Sequence, residues 1–280
     1  MFPGEDPFAK SSQYIRMLYL NESFWDNKKT FVLLLDYDGT LSDIAPHPDM
    51  TCMVDGNREA LEFIRDQPNV VVAIITGRDA TNAKSVVALE NVIYAGDHGF
   101  EIVFPDGYRF DYELSDALKQ SYPQMVAELN SISRDGAFVE SKKYSLSFHY
   151  RAVPEEYHKE LENKAMEIIR KHGFRPSPAH KAVEAKPPMQ WNKGFAAEYI
   201  LKHKFGENWQ EKAFALFIGD DTTDEDVMQV LKDKCLTFRV TPDKHLESAA
   251  TMKIPDTKAV AEILQQIKKR FERRAPNNKK

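Results

Sequence analysis

Three apolar runs in this chain end in the same way. Phe31–Leu35 stops at Asp36-Tyr37-Asp38-Gly39-Thr40, Val70–Ile75 stops at Thr76-Gly77-Arg78, and Ala213–Ile218 stops at Gly219-Asp220-Asp221. Runs of five or six apolar residues without alternation suit parallel strands covered on both faces. Open α/β sheets place ligands at the carboxyl ends of such strands, and right-handed crossovers bring those ends to one edge. An Asp-Gly turn accounts for one such ending but not for three. The prediction is an α/β fold with a mainly parallel sheet, its chemistry gathered around Asp36, Thr76 and Asp220.

The rest of the chain fills in around these strands. Tyr14, Ile15, Leu18, Tyr19 and Trp25 have helical spacing over Ser11–Trp25, so residues 1–30 read as an N-terminal helical extension. Asn57–Asp66 reads as an amphipathic helix. Asn91–Ala95 reads as a strand ending in Gly96-Asp97-His98-Gly99, and Glu101–Phe104 as a hairpin arm turning through Pro105-Asp106-Gly107. Residues 111–188 change character: a helix over Asp116–Ile132, strands over Ala137–Glu140 and Tyr144–Arg151, a helix over Glu156–Lys171, then strand-like pieces to Lys186. This is the pattern of a small α+β domain inserted into a core made of residues 31–110 and 189–272. The core resumes with a helix over Lys193–Phe205, strands over Leu236–Val240 and Thr251–Ile254, and a helix over Thr257–Phe271. Residues 273–280 read as a flexible basic tail.

Composition narrows the function classes. With 280 residues, 42% of them hydrophobic, the chain can bury a full core. Its two cysteines, Cys52 and Cys235, lie far apart with no zinc-ligand spacing, which fits a reducing compartment. A net charge of -5 argues against nonspecific nucleic-acid binding. The first ten residues lack the pattern of a secretory signal, and no apolar run approaches membrane-spanning length. A cytoplasmic protein with no nucleic-acid or membrane partner is expected.

Asp36, Asp38, Asp220 and Asp224 repel one another unless a cation lies among them, and an all-oxygen set selects a hard ion, magnesium first. The acidic run from Asp220 lacks the central glycine of a calcium-binding EF-hand loop, and no Walker loop is present. Magnesium shares phosphate oxygens with its substrates, which makes Thr76, Arg78 and Lys193 candidate phosphate contacts. Asp36 is a candidate nucleophile towards phosphorus, forming an aspartyl-phosphate, and Asp38 a candidate acid/base if its acidic neighbours raise its pKa. Asp221 and Asp226 read as helix-start or solvated acids and Asp224 as a residue behind the metal ligands. His98 either touches substrate from the core side or follows from the turn between its two glycines. From pattern alone, Glu140 and Lys142 make an ordinary charged hairpin turn.

DYDGT, TGR, a lysine after the insert and GDDTTDED resemble the four motifs of haloacid-dehalogenase-superfamily phosphatases. Glu140–Arg151, Val183-Glu184-Ala185-Lys186-Pro187 and Trp191-Asn192-Lys193-Gly194 are similar to segments of the trehalose-6-phosphate phosphatase family. The resemblance runs from about Phe31 to Ile267. It implies a Rossmann-like core with an α+β cap, and magnesium-dependent hydrolysis of trehalose 6-phosphate as the last step of trehalose biosynthesis. It assigns Asp36 as nucleophile and metal ligand, Asp38 as acid/base and ligand through its main-chain carbonyl, and Asp220 as metal ligand. Thr76 and Lys193 match phosphate-binding positions, Glu140, Lys142 and Glu184 match residues that hold the distal glucose, and Arg151 matches one directed at the phosphate. Lys186 departs from a pattern that often has arginine there. A trehalose-6-phosphate synthase is a candidate partner and a monomer is favoured. The competing readings are a phosphatase or phosphomutase for another sugar phosphate and a noncatalytic sugar-phosphate-binding regulator.

Overall fold

From Phe31 to Leu35 every side chain is buried, as a strand covered on both faces requires. The structure is a computed structural model and describes residues 13–15, 28–134, 136–179 and 181–274. The expected helix over Ser11–Trp25 lies outside the described residues except for 13–15, which are helical, and so does the tail beyond residue 274.

In chain order the elements are β1 (Thr30–Leu35), α1 (Asn57–Arg65), β2 (Val70–Ile75), α2 (Ala80–Val87), β3 (Ile93–Gly96), β4 (Glu101–Val103) and β5 (Arg109–Asp111). The insert adds α3 (Asp116–Ile132), β6 (Phe138–Ser141), β7 (Leu146–His149), α4 (His158–Lys171), β8 (Arg175–Ala179) and β9 (Ala182–Lys186). The chain then forms α5 (Lys193–Phe205), α6 (Trp209–Lys212), β10 (Ala213–Gly219), α7 (Thr222–Val230), β11 (Leu236–Val240), β12 (Met252–Ile254) and α8 (Thr257–Arg274).

Contacts divide the chain into two units, one built from the described residues up to Arg109 and from Trp191 onward, the other from Phe110–Gln190. The first is built on a sheet of order β12-β11-β10-β1-β2-β3-β4-β5. Its first six strands pair in parallel and β4 runs antiparallel to β3. Leu35 lies opposite Ile218 on one side and Ile74 on the other, so the chain leaves β1, β2 and β10 at the same edge. Leu33, Leu35, Ile74, Leu216 and Ile218 form one core with Leu61 and Ile64 of α1 and Ile263 and Leu264 of α8. Among the described residues no helix is long and apolar enough to cross a membrane.

The second unit is an antiparallel sheet of order β6-β7-β9-β8. Leu146, Phe148, Val183 and Ala185 alternate onto one face and pack with Met125 and Leu129 of α3 and Leu161, Ala165 and Ile169 of α4. Glu140, Ser147, Glu184 and Ser177 are paired partners across the four strands. The strand expected from Tyr144 begins only at Leu146, because the turn before it is pinned. The Tyr122 hydroxyl of α3 lies 2.8 Å from the carbonyl of Lys142 and 2.7 Å from that of Ser145, and the Lys142 amide approaches it at 3.2 Å.

Candidate active site

The first residue beyond β1 is Asp36, held in line by its amide, which donates to the Ile218 carbonyl at 3.0 Å. Its side chain is almost wholly buried. A buried carboxylate needs a partner, and Lys193 supplies it: Nζ lies 2.7 Å from Asp36 Oδ1 and 2.8 Å from Asp224 Oδ1. Lys193 opens α5, whose N-cap Asn192 accepts the Phe195 amide at 3.0 Å. One helix start therefore aims an ammonium at two carboxylates on two other elements.

Asp224 sits at the third position of α7. The side chain of N-cap Asp221 accepts an amide of the first turn, and Asp224 Oδ2 accepts the amides of Asp220 and Asp221 at 3.0 and 2.9 Å. Thr40 Oγ1 donates to Asp220 Oδ1 at 3.4 Å. Close approaches set these spacings. At Gly39, with φ +79°, a Cβ would lie 2.2 Å from Asp220 Oδ2, and at Gly219 it would lie 2.4 Å from Asp224 Cγ.

Oxygens of Asp36, Asp220 and Asp224 lie within 4.8 Å of one another. Burial pushes the Asp36 carboxyl above the usual range, with Lys193 opposing and Asp224 and Asp220 adding to the rise. Burial, then Asp224, push Asp220 up to about 7 against Lys193 and Arg239. Burial alone would lower the Lys193 ammonium, but Asp224 and Asp36 outweigh it and raise it. Three carboxylates around one ammonium leave an excess of negative charge that a proton or a hard cation relieves. An all-oxygen donor set with that excess fits magnesium.

Asp38 and Arg78 stand apart from this cluster. Arg78 grips the half-buried Asp38 with two bonds, Nε to Oδ2 at 2.7 Å and Nη2 to Oδ1 at 2.6 Å. It also donates to the Pro48 carbonyl, Thr51 Oγ1 and Asn82 Oδ1 at 2.8 to 2.9 Å. The sequence expectation put Asp38 among the acids and Arg78 on phosphate. In this structure each instead holds the other, and the guanidinium anchors the loop after β1. Thr76 is buried at the end of β2, where its hydroxyl oxygen accepts the Arg78 amide at 3.2 Å. His98 is buried in a left-handed conformation with its ring against Gly77.

In the second unit, Glu140 Oε2 lies 2.8 Å from His149 Nε2, and Lys142 Nζ donates to Ser147 Oγ at 3.3 Å. Glu184 pairs with the nearly buried Lys186 at 2.7 Å. Ser147 is the strand partner of both Glu140 and Glu184, so these groups form one polar cluster. Arg151 lies half-buried in the turn after β7.

The structure moves Asp224 from behind the cluster into it. The signal was the spacing Asp221-x-x-Asp224, which marks a capped helix start. In a run with five acids, composition does not say which one turns inward.

The trehalose-phosphatase family model matches residues 34–251. A trehalose 6-phosphate phosphatase of Zea mays is 30% identical over 266 residues, covering 89% of this chain and 72% of that protein. An uncharacterized glycosyl hydrolase of Mycobacterium tuberculosis is 32% identical over 241 residues; the match takes in 84% of this chain but only 18% of that protein's length. The solved C-terminal domain of the C. albicans trehalose-6-phosphate phosphatase aligns with a TM-score of 0.77 at 20% identity over 91% of this chain and 97% of that one, a likeness of fold. With the family's match extending across both units, the chain belongs to the trehalose-phosphatase family, a group of phosphoric monoester hydrolases.

Proposed function

We propose that this chain hydrolyses trehalose 6-phosphate to trehalose and phosphate with magnesium, completing trehalose synthesis. The observation that carries the reading is the buried Asp36–Lys193–Asp224 contact beside Asp220, in a chain of this family. Asp36, Asp220 and Asp224 would hold the metal, with the Asp38 carbonyl added by the family pattern. Bound there, magnesium supplies the charge neutralisation that lets a phosphate approach an acidic site.

The remaining chemistry belongs to the chain's own groups. Asp36 attacks phosphorus, the bond from phosphorus to the sugar oxygen breaks, and Asp38 protonates that oxygen as trehalose leaves. Asp38 then takes a proton from water, which attacks the aspartyl-phosphate, releases phosphate and restores Asp36. Lys193 is no base here, because its neighbours stabilise the ammonium. It orients Asp36 and offsets charge on the phosphate. The Thr76 hydroxyl, which accepts from the Arg78 amide, has its own hydrogen to donate to a phosphate oxygen. Asp38 must leave Arg78 to act, so that pair opens during the cycle. Glu140, Lys142, Glu184 and Arg151 read the sugar and its phosphate from the cap.

The test is phosphate release from trehalose 6-phosphate, glucose 6-phosphate and an aryl phosphate, with chelator and with restored magnesium. A specificity constant far higher for the disaccharide is expected, with activity lost in chelator. Equal constants on all three would reduce the reading to a general sugar-phosphate phosphatase, and full activity in chelator would remove the metal from it.

A further inference from the structure

Arg239 lies in an apolar run, Leu236-Thr237-Phe238-Arg239-Val240, where every residue is buried. Its backbone pairs with Gly219, the residue before Asp220. The guanidinium reaches across that pairing: Nη1 donates to the main-chain carbonyl of Asp221 and lies 3.3 Å from Glu225 Oε1. Glu225 Oε2 in turn accepts the Ala249 amide at 2.9 Å. The Asp221 carbonyl also receives the Asp224 amide at 3.0 Å. One peptide group thus joins Arg239 to the turn that presents Asp220 and Asp224.

The ion pair with Glu225 and the bond to the Asp221 carbonyl offset part of the cost of burying this residue, but not all of it. A cation beside the start of α7 faces the positive end of the helix dipole. Its Nε is also buried with no hydrogen-bond partner among the described residues, which adds a desolvation cost. An apolar side chain would suit the strand better, and a surface cation would suit the charge balance equally well.

We propose that Arg239 is a positioning residue for the acid cluster: by fixing the Asp221 peptide and Glu225 it sets the spacing of Asp220 and Asp224, and with it the affinity for magnesium. This rests on the reading of that cluster as a magnesium site. Charge and position predict opposite signs. Removing a nearby positive charge alone would tighten cation binding, whereas releasing the turn weakens it.

The test is magnesium binding to the full chain, followed by calorimetry and by the magnesium-induced rise in melting temperature, for wild type, Arg239→Gln and Arg239→Lys. Loss of a group that orients metal ligands typically costs about 10- to 100-fold in affinity, and both variants should weaken in that range, since lysine keeps the charge but not the planar fork. On an aryl phosphate, which does not depend on sugar recognition, excess magnesium should restore most of kcat. Unchanged or tighter binding in a folded Arg239→Gln protein would overturn the proposal. Should that variant not fold, Glu225→Ala leaves Arg239 in place and removes one of its two anchors. A severalfold weaker affinity is expected there, and wild-type affinity would overturn the proposal equally. Absence of magnesium binding by the wild type would instead defeat the reading of the site itself.

Discussion

The two polar clusters of this molecule are built differently. Around Asp36 three side chains are sealed: Lys193 and Asp36 are 3% and 4% exposed in their ion pair, Asp224 is wholly buried, and the bonds of these three are to charged groups or main-chain amides. Around Ser147 the groups are more open, with Glu140 33% exposed and His149 20%. The first arrangement holds charge rigidly in a low-dielectric setting, where a displaced oxygen changes a reaction barrier. The second offers donors and acceptors that a neutral sugar can exchange for water at small cost. We read the contrast as chemistry in one unit and recognition in the other, and three tests probe that division.

The largest effect is expected at Asp36. Asp36→Asn keeps size and removes the attacking charge, so turnover on every phosphate ester should fall by roughly three orders of magnitude or more. Circular dichroism should report an intact fold. Near-normal phosphate release would break the assignment of chemistry to this cluster.

A smaller and selective effect is expected in the second unit. Glu140→Ala and Glu184→Ala each remove a charged hydrogen-bonding group, typically worth about 1.5 to 3 kcal/mol, or roughly ten- to a hundredfold in specificity constant. The loss should appear with trehalose 6-phosphate and be absent with an aryl phosphate. Equal losses on both substrates would erase the distinction between the units.

The smallest effect is on stability. Asp220 is raised from 3.8 to about 7 without metal, so its protonated form is the one the fold favours. Its contribution is fully present below about pH 4 and is lost as pH rises through about 7. Metal-free protein should therefore melt lower at pH 8 than at pH 5, and magnesium should raise the melting temperature more at pH 8. An equal magnesium shift at both values would mean that the acids do not carry the strain assigned to them.

Much of the sealed cluster could be read from sequence because burial and charge conflict there in plain view. An apolar run that ends in Asp36, and another that ends in Gly219-Asp220, require a sheet edge and a counter-charge. The groups proposed to read the sugar carry no such conflict. Glu140 and Lys142 look like any charged hairpin turn, and only the family resemblance singled them out. Other features depend on tertiary contacts that pattern does not encode. Arg78 was expected on phosphate because it follows Thr76, yet its partners Asp38, Pro48 and Thr51 lie 27 to 40 residues away. Helix α2 escaped notice because Ala80–Val87 has weak apolar periodicity, although Asp79 accepts the Asn82 amide at 2.8 Å as its cap.

Gly39 and Gly219 contribute no functional group, yet each stands where a single added methyl would collide with a carboxylate of the cluster. The dimensions of the candidate centre are therefore gauged by missing atoms. A survey that replaced only acids, bases and hydroxyls would overlook both positions. The chain could more readily exchange one carboxylate for an amide, and keep its architecture, than exchange either hydrogen for a carbon.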